Sequence, residues 1–584
     1  MRDGVKLFTA VYVPKDRSTT YPIMLLRTPY SVAPYGVDNY RPTIGPSEHF
    51  MKDGFIVVYQ DVRGRYMSEG EWTEVRPHNP KKGPTEADEA SDTWDTIDWL
   101  VKNVAGNNGK VGMWGISYPG FYVSAGMIDA HPGLVAASPQ APVTDYYLGD
   151  DSFHNGAFLL AHNFGFYTSF KPRPGGPALP SQVPRFDWGT PDGYEFYLRM
   201  GPLANSNATY LKGANPYWNI NLDHPNYDAF WQARSIWKHF KNIKPAVLTV
   251  GGWFDAEDLQ GPLRTYQTIE RDNPGASNAI VMGPWTHGSW SRGTGDKVGF
   301  VSFGANQSEW YRAHVEFPFF VKHLKGRAIQ ELPDALMFVT GLNEWRRHDT
   351  WPPKSAQPKT LYFGERGALV WQKPTAGDAA DSYVADPNRP VPLVGFTTQG
   401  MPGDYMTSDQ RFASQRPDVL VYATPALGSD LTIAGPIEVT LHVATTGTDA
   451  DFVVKLIDVY PGTATSPEAP VAGTAYPVKM GGYQQLVRGE PFRGKFRNGF
   501  EKPEPFVPGQ PATITFTMPD AYHTFRRGHR IMVHVQSSWF PFIDRNPQTF
   551  VDIPKATDAD FLVQTHRVYR SASRASSLTV RVEP

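Results

Sequence analysis

Cysteine is absent from this chain of 584 residues, which excludes a thiol nucleophile, disulfides and cysteine-ligated metals together. Net charge is nearly absent as well, since 56 Lys and Arg residues face 58 Asp and Glu residues. Proteins that bind nucleic acid or other polyanions usually carry a basic excess, so no nucleic-acid partner is expected. No apolar run approaches the ~18 residues that a membrane span needs, so no membrane partner is expected either.

The N-terminus lacks the apolar core of a signal peptide. Residues 1–7 have the pattern of a strand start instead, which leaves open whether a segment precedes them. With 53 Gly, 53 Pro and 13% aromatic residues, the composition favours a periplasmic or secreted enzyme over a cytoplasmic one. The compartment itself is not determined.

The length exceeds the ~250–300 residues at which a single core stops growing, so two or three domains are expected. Continuous apolar runs occupy residues 23–26 and 55–59, and another short strand is predicted over 110–114. Between them, residues 85–103 have helical spacing, with Thr85 and Asp88 available to cap the start. Strands that alternate with helices predict a mostly parallel sheet buried on both faces.

Residues 146–241 interrupt this pattern with a stretch rich in aromatics, Gly, Pro and Asn, which indicates an inserted helical cap. Sheet-like runs then return at 246–250 and 279–282. After about residue 350, short alternating segments at 437–443, 452–459, 512–516 and 530–535 are separated by Pro- and Gly-rich turns. That pattern is typical of a β-sandwich or jelly roll. We therefore predict an α/β catalytic domain over 1–145 and 242–350, a helical cap over 146–241 and an all-β jelly-roll domain over 351–584.

A candidate nucleophile follows the strand predicted at 110–114. The sequence there is Gly-Ile-Ser-Tyr-Pro-Gly at 115–120, and a helical stretch comes after it. In the Gly-x-Ser-x-Gly pattern of α/β-hydrolases, the glycines permit the tight strand-to-helix turn that holds the serine. Pro119 replaces the second glycine and Gly120 comes one position later, although proline is tolerated in a first helical turn. We interpret Ser117 as the nucleophile; the alternative is a chance Gly-x-Ser turn.

An acid and a base follow the two later strands in the order that α/β-hydrolases use. Asp255 comes after the strand at 246–250, and His287 after the strand at 279–282. Loops at the carboxyl ends of parallel strands form the usual active-site edge. A lone aspartate would be a turn residue and a lone histidine a surface or core residue, but with Ser117 the three predict a catalytic triad. His287 would accept the proton of Ser117, Asp255 would fix the imidazole tautomer, and an acyl-enzyme would form without a cofactor or metal.

The oxyanion of such a reaction needs two donors. The backbone N–H of Tyr118, directly after the nucleophile, is the expected first donor. The second normally comes from the loop after an early strand. Arg-Thr-Pro-Tyr at 27–30 occupies that loop, where the hydroxyl of Tyr30 could serve.

These segments together resemble the X-prolyl dipeptidyl-peptidase family, which includes cocaine esterase, glutaryl acylases and the α-amino-acid ester hydrolases. The matching segments are Met-Arg-Asp-Gly-Val at 1–5, Arg-Thr-Pro-Tyr at 27–30, Gln-Asp-Val-Arg-Gly-Arg at 60–65, Ser-Glu-Gly at 68–70, Gly-Ile-Ser-Tyr at 115–118, Gly-Gly-Trp-Phe-Asp at 251–255 and Gly-Pro-Trp-Thr-His-Gly at 283–288. The resemblance extends over essentially the whole chain, including cap and jelly roll, and implies an oxyanion role for Tyr30. It also allows a homo-oligomer, either a tetramer or a dimer; in the α-amino-acid ester hydrolases an N-terminal arm helps to form the tetramer, and the sequence as given does not include a match to it, so a tetramer is the less expected of the two.

Within the family, the α-amino-acid ester hydrolases bind the substrate's α-ammonium group with three carboxylates, which the resemblance places at Asp151, Glu257 and Asp258. At 4 Å and an intermediate dielectric, each ion pair contributes ~4 kcal/mol before desolvation is subtracted. The choice between Asp150 and Asp151 stays open. The alternative for this Asp-Asp pair is a solvated loop or a set of calcium ligands.

The predicted function is a serine hydrolase that cleaves esters or amides of substrates with a free α-amino group. It would transfer the acyl group to water or to amines, including the β-lactam nuclei of ampicillin- and cephalexin-type antibiotics. The alternatives are an X-prolyl dipeptidyl peptidase, a glutaryl acylase or a cocaine-type esterase, although the three carboxylates would repel a glutaryl group. An inactive hydrolase whose β domain binds sugar is a further alternative, against which the intact triad argues.

Overall fold

The computed structural model describes residues 1–173, 175–181, 184–466 and 478–584. The strands of the first half are β1 (Thr9–Tyr12), β2 (Tyr21–Thr28), β3 (Ile56–Asp61), β4 (Asn107–Ile116), β5 (Leu134–Gln140), β6 (Phe153–His154), β7 (Ala157–Phe158), β8 (Ala246–Gly252), β9 (Asn278–Gly283), β10 (Lys297–Val298), β11 (Val301–Ser302), β12 (Ala335–Val339) and β13 (Glu344–His348). The α-helices of the chain are α1 (Glu48–Asp53), α2 (Glu89–Asn103), α3 (Tyr118–Gly126), α4 (Leu160–Ser169), α5 (Gly193–Met200), α6 (Pro216–Asp223), α7 (Ala229–Gln232), α8 (Gln260–Asp272), α9 (Gln307–Tyr311), α10 (Phe317–Lys325) and α11 (Arg411–Ser414). Among the described residues, no helix is long and apolar enough to cross a membrane.

The first half folds around a sheet with the strand order β1-β3-β2-β4-β5-β8-β9-β12-β13. From β3 to β12 the neighbours pair in parallel, and the pairs at the two edges are antiparallel. Every residue of β3 and β8 is buried, which is why the sequence shows continuous apolar runs there. Helices α2 and α3 share one core cluster with alternate residues of the sheet, and α10 shares the cluster on the other face. The predicted α/β-hydrolase class is confirmed.

Helix α2 begins close to where its capping signal predicts. Asp88 is the N-cap, and its carboxylate accepts the backbone N–H of Ser91 at 2.9 Å while the hydroxyl of Ser91 accepts the N–H of Asp88. This reciprocal pair satisfies two backbone donors that the first turn would otherwise leave without a partner. Thr85 lies before the helix and is not its cap.

The segment between β5 and β8 holds helices α4 to α7 and the short β6–β7 hairpin. Its aromatic residues pack on one another and on the same core cluster as α2 and α3, with Phe164 and Trp218 fully buried at its centre. Helix α4 crosses above the carboxyl ends of the strands, and its residues help to line a cavity there. The interruption between the sheet strands therefore covers the edge at which the candidate catalytic residues emerge.

The second half is a sandwich of antiparallel strands, as predicted. Its strands are β14 (Gln357–Phe363), β15 (Leu369–Val370), β16 (Ala380–Ala385), β17 (Leu420–Ala423), β18 (Leu431–Thr445), β19 (Asp451–Val459), β20 (Gln484–Arg493), β21 (Ala512–Phe525), β22 (Arg530–Gln536), β23 (Gln564–Tyr569) and β24 (Ser577–Val582). One sheet has the order β15-β14-β24-β18-β23-β16 with β21 paired to β18, and the other has the order β17-β22-β19-β20. Apolar side chains from both sheets fill the space between them.

The two halves share a core. Trp253 and Phe338 from the first sheet lie in one buried cluster with Ile457 and Trp539 from the sandwich. Backbone bridges also join Leu159 to Ile543 and Thr340 to His523. The sandwich is therefore packed against the carboxyl-end side of the catalytic sheet rather than tethered to it.

Candidate active site

Ser117 lies at the turn between β4 and α3 with φ 67° and ψ −127°. A positive φ is strained for a residue with a side chain, by ~1–3 kcal/mol, and persists where the surroundings impose it. Two glycines permit the close contacts of this turn: a Cβ on Gly115 would lie 2.4 Å from the carbonyl oxygen of Pro119, and one on Gly120 would lie 2.7 Å from that of Gln140. The second glycine lies one position later than in the Gly-x-Ser-x-Gly pattern, but the chain still forms a tight strand-to-helix turn at Ser117.

Asp255 and His287 meet at the ends of β8 and β9. The Nδ1 atom of His287 lies 2.8 Å from Asp255 Oδ2 and 3.0 Å from Oδ1. Asp255 is buried and also accepts the backbone N–H groups of Glu257 at 3.1 Å and Asp258 at 2.9 Å. Burial raises the pKa of Asp255, but the charge and hydrogen bond of His287 outweigh it and lower the pKa. Asp255 is therefore an ionised, oriented partner for the imidazole.

His287 is surrounded by negative charge. Burial alone would lower its pKa, but the carboxylates of Asp255 and Glu257, with a smaller contribution from Asp151, raise the pKa to about 10. Glu257 Oε2 lies 3.6 Å from His287 Nδ1. Since 28% of the His287 side chain is exposed, solvent screens part of this attraction. The free enzyme thus favours the imidazolium form of His287. His287 must lose this proton before it can accept the proton of Ser117.

Ser117 and His287 line one cavity of about 350 Å³. With Nδ1 bonded to Asp255, Nε2 is the ring nitrogen left for Ser117. The other lining residues are Tyr30, Ile116, Tyr118, Tyr146, Asp151, His162, Asn163, Phe166, Tyr167, Glu257, Gly288, Ser291 and Arg292. Aromatic rings thus form much of the wall, and carboxylates lie on it together with the serine.

Both predicted oxyanion donors are available at this cavity. Tyr118 is the first residue of α3, and within the described part of the chain its backbone N–H has no hydrogen-bond acceptor. Tyr30 follows β2, and the hydroxyl of Thr28 accepts its backbone N–H at 3.1 Å. Burial, then the charges of Asp151 and Asp258, raises the pKa of Tyr30 well above its ordinary value; 42% of the residue is exposed, so burial acts less strongly than in a core. The hydroxyl of Tyr30 therefore stays protonated and can donate a hydrogen bond.

The three predicted carboxylates lie together, in two layers. Asp151 and Glu257 line the cavity, whereas Asp258 is fully buried behind it. Neither carboxylate oxygen of Asp258 has a hydrogen-bond partner among the described residues. Burial, then the charges of Asp151 and Asp150, raises the pKa of Asp258 well above its ordinary value. The charged form of Asp258 is therefore unfavourable in the free enzyme and would be stabilised by a nearby cation.

Asp150 has a different position from Asp151. Its Oδ2 accepts the backbone N–H of Thr144 at 2.7 Å, the hydroxyl of Thr144 at 2.8 Å and the N–H of Asp145 at 2.7 Å. Asp150 therefore holds the turn that follows β5, and its neighbour Asp151 is the one at the cavity.

Residue types suited to a metal occur at the triad rather than at the Asp-Asp pair. Asp255, Glu257 and His287 have nitrogen and oxygen atoms within 4.8 Å of one another. However, His287 Nδ1 already forms a hydrogen bond to Asp255, as in a catalytic dyad. Among the described residues, neither Asp150 nor Asp151 belongs to such a group.

His162 was not predicted from the sequence. It lies in the first turn of α4, with Nε2 3.1 Å from Asp151 Oδ1 and Nδ1 3.7 Å from Glu257 Oε1. Its neighbour Asn163 donates to the backbone carbonyl of Asp151 at 2.8 Å. A lone histidine in an aromatic segment gives no motif, and the helix reaches the triad through the tertiary fold alone.

Comparison with known proteins gives the family. Residues 3–289 match the family described as X-Pro dipeptidyl-peptidase (S15 family), and residues 327–579 match the X-Pro dipeptidyl-peptidase C-terminal non-catalytic domain. The chain belongs to the X-Pro dipeptidyl-peptidase family. Family membership covers both halves, so the resemblance drawn from the sequence motifs is confirmed.

Relatives in the X-Pro dipeptidyl-peptidase family align over the full chain. Cocaine esterase of Rhodococcus sp. (strain MB1 Bresler) is 28% identical over 606 residues, which cover 100% of this chain and 97% of the esterase. An aminopeptidase of a marine sediment Thaumarchaeota archaeon has a TM-score of 0.92 and 36% identity, covering 100% of this chain and 95% of its own. An α-amino acid ester hydrolase has a TM-score of 0.90 and 38% identity with the same coverage. The chain is therefore a hydrolase of a family of serine esterases and peptidases.

Proposed function

We propose that the chain cleaves α-amino-acid esters and transfers the acyl group to water or to an amine, including the β-lactam nuclei of ampicillin- and cephalexin-type antibiotics. In this proposal Ser117 attacks the ester carbonyl while His287 accepts its proton, and Asp255 holds the imidazole in the required tautomer. The alcohol leaves with a proton returned by His287, and an acyl-enzyme remains. Water or an amine then attacks the acyl-enzyme by the same steps in reverse order.

The oxyanion that forms at each attack is assigned to two donors. The backbone N–H of Tyr118 and the hydroxyl of Tyr30 both belong to the wall of the cavity that Ser117 lines. Donors that are oriented before the reaction need no reorganisation as the charge develops, and removal of one such donor lowers kcat by ~10²–10³. The free N–H of Tyr118 and the protonated hydroxyl of Tyr30 support this assignment.

The observation that carries the amino-group specificity is that Asp151 and Glu257 line the same cavity as Ser117, with Asp258 buried behind them. Burying a carboxylate oxygen without a hydrogen-bond partner is unfavourable, and among the described residues both oxygens of Asp258 and Oε2 of Glu257 lack one. An α-ammonium group would supply the missing donors and charge, two bonds away from the carbonyl that Ser117 attacks. A neutral acyl group would not supply these donors, and an anionic one such as glutaryl would be repelled by the carboxylates.

A second candidate is an aminopeptidase. The archaeal aminopeptidase with 36% identity favours it, and both that name and the name of the ester hydrolase describe substrates with an α-amino group. The same carboxylates would serve both reactions, which differ in the leaving group. An amide needs His287 to protonate a poor leaving amine, whereas an ester does not depend on this step as strongly. A dipeptidyl peptidase and a cocaine-type esterase are the remaining alternatives within the family.

The proposal is tested by comparing kcat/KM for phenylglycine methyl ester, methyl phenylacetate and phenylglycine p-nitroanilide. The amino ester should be preferred over methyl phenylacetate, which has the same ring and ester but lacks the amine. Faster turnover of the anilide than of the amino ester would favour the aminopeptidase. Equal turnover of the two esters would contradict the amino-group specificity and favour a general esterase.

A further inference from the structure

The carboxylates assigned to the substrate's ammonium group already have a basic side chain between them. His162 Nε2 lies 3.1 Å from Asp151 Oδ1, and His162 Nδ1 lies 3.7 Å from Glu257 Oε1. All three side chains are partly exposed to the cavity, with 16%, 17% and 20% of their surface accessible for His162, Asp151 and Glu257. An imidazolium at this place pairs with both carboxylates at once, as a bound ammonium group would.

We propose that His162 is a specificity-determining residue, the internal counter-cation of the ammonium subsite, which releases a proton to solvent when the substrate's α-ammonium group takes its place. This proposal rests on the function proposed above. It adds to the same site a pH-dependent preference for amino substrates, which Ser117, His287 and Asp255 do not supply. Only a proton is transferred: the Nδ1–H bond of the imidazolium breaks, a buffer base takes up the proton, and the ammonium group brings an equal charge into the cluster.

The geometry allows both states without movement of the helix. In the free enzyme, the imidazolium donates Nε2–H to Asp151 and points Nδ1–H at Glu257. After deprotonation at Nδ1, the ring keeps its hydrogen bond to Asp151, and the lone pair on Nδ1 can accept a hydrogen bond from an ammonium group beside Glu257. Asn163 Nδ2 holds the backbone of Asp151 at 2.8 Å throughout, so the carboxylate stays in place.

Two cations cannot share the same pair of carboxylates without repulsion, so protonation of His162 competes with binding of the ammonium group. The charged groups that act on His162 are Asp151 from the turn after β5, Glu257 from the loop after β8 and His287 from the loop after β9. Burial lowers the pKa of His162, but the hydrogen bond to Asp151 and the charge of Glu257 outweigh it and raise the pKa, against a smaller opposing effect of His287. Hydroxyls of Tyr30 and Tyr167 line the same cavity.

The consequence is a preference for amino substrates that weakens at low pH. Because the pKa of His162 is raised above its ordinary value, the imidazolium form predominates at mildly acidic pH. Binding of the ammonium group is then weakened, whereas binding of a substrate without an amine is not affected in this way. Above the pKa of His162 the reduction disappears.

The first test compares the wild type with His162→Gln and His162→Asn, whose amides retain hydrogen-bonding groups but no charge. For each enzyme, the preference is the ratio of kcat/KM for phenylglycine methyl ester to that for methyl phenylacetate. The substrate's own amine titrates identically in all three enzymes, so the ratio of variant to wild-type preference isolates the histidine. We expect this ratio to be several-fold above one at pH 5.5 and to fall towards one as the pH rises past the pKa of His162.

The second test measures the released proton directly and does not depend on turnover. Phenylglycine methyl ester is titrated into Ser117→Ala and into Ser117→Ala/His162→Gln by calorimetry at pH 6, in two buffers of different ionisation enthalpy. We expect close to one more proton released by the single variant than by the double variant. This comparison stays informative if His162→Gln alters the catalytic rate for any other reason.

The outcomes separate the two proposals. A preference that is present in the wild type but depends on pH equally in both His162 variants, with equal proton release, would overturn the role of His162 alone. A loss of preference at every pH in the variants would also overturn it, because His162 would then act as a required positioning residue. A preference near one in all enzymes at all pH values would overturn the amino-group specificity and the role of His162 with it.

Discussion

Replacement of Glu257 by glutamine should separate two effects that one carboxylate has at this site. Glu257 lines the cavity as a proposed partner of the substrate's ammonium group, and its Oε2 lies 3.6 Å from Nδ1 of the candidate base His287. The amide keeps the size and removes the charge. We expect kcat/KM for the amino ester to fall, and kcat/KM for the ester without an amine to be unchanged or to rise.

The magnitudes follow from the distances. Opposite unit charges 3.6 Å apart attract by ~5 kcal/mol at an effective dielectric of 20, and the 20% exposure of Glu257 reduces this. Loss of one partner from a largely buried charge pair usually costs ~2–5 kcal/mol, which corresponds to ~30- to ~5,000-fold in kcat/KM for the amino ester. For the other ester, the pKa of His287 falls from about 10 when Glu257 is neutral, so more of the free base is present at pH 7.

The assay is kcat/KM for both esters between pH 5.5 and 9, with Glu195→Gln as a matched control. Glu195 is 56% exposed on helix α5 of the cap, away from the cavity lining, so its amide should leave both values unchanged. The rising limb of the pH profile for methyl phenylacetate should move to lower pH in Glu257→Gln, because activity requires the neutral imidazole. If the ratio of the two kcat/KM values does not move, Glu257 does not bind the amine and the reasoning is refuted.

Three further changes test other parts of the molecule. Ser117→Ala should abolish turnover without unfolding the chain, and a fluorophosphonate should label the wild type at Ser117 and fail to label the variant; residual turnover at the wild-type level would rule out this nucleophile. Tyr30→Phe should lower kcat by ~10²–10³ with little change in KM, and an unchanged kcat would remove its hydroxyl from the oxyanion site. Lys455→Met should stabilise the fold at pH 7, because burial lowers the pKa of Lys455 from 10.5 to about 7. Between pH 7 and 10.5 the unfolded chain binds a proton at Lys455 that the folded chain does not, so the stability of the wild type falls as the pH drops through this range. The loss is ~5 kcal/mol, without the stabilising hydrogen bond from Lys455 to Gln410. Equal slopes of melting temperature against pH in wild type and variant would contradict this.

Local sequence predicted the loops that bear Ser117, Asp255 and His287 because they directly follow buried strands of a parallel sheet. The carboxyl ends of such strands meet at one edge, so residues far apart in sequence come together without any information on the helices between them. Glycines reinforce the pattern for a steric reason: a Cβ on Gly252 would lie 2.2 Å from the carbonyl oxygen of Trp285. A chain that places two loops this close must have glycine there, and the sequence shows it.

Other features depend on tertiary contacts that no short pattern encodes. His162 reaches the cavity because the cap folds over the sheet edge. Asp150 and Asp151 have different surroundings because the turn after β5 directs the carboxylate of Asp150 at backbone N–H groups. Strand β18 was predicted as 437–443 but extends over Leu431–Thr445, since its Gly-Pro sequence forms a bulge and not a turn. The register shifts between Gly435 and Ile437, and Gly435 has φ 126°.

From its position, we expect the sandwich to support the loop that bears Asp255, although its family description is non-catalytic. Arg488 of β20 is fully buried, and it donates to the carbonyl oxygen of Trp253 and to that of Asp520, both at 2.9 Å. Trp253 lies two residues before Asp255, so this guanidinium fixes the backbone of the loop that presents the acid. Tyr405 of the sandwich half lies in the same buried cluster as Trp253 and Phe254 of this loop. A catalytic half without the sandwich would expose the Trp253 cluster and lose these contacts, so the acid loop would not be held in place. We therefore expect the C-terminal half to act on the chemistry by positioning Asp255, since none of its described residues lines the cavity.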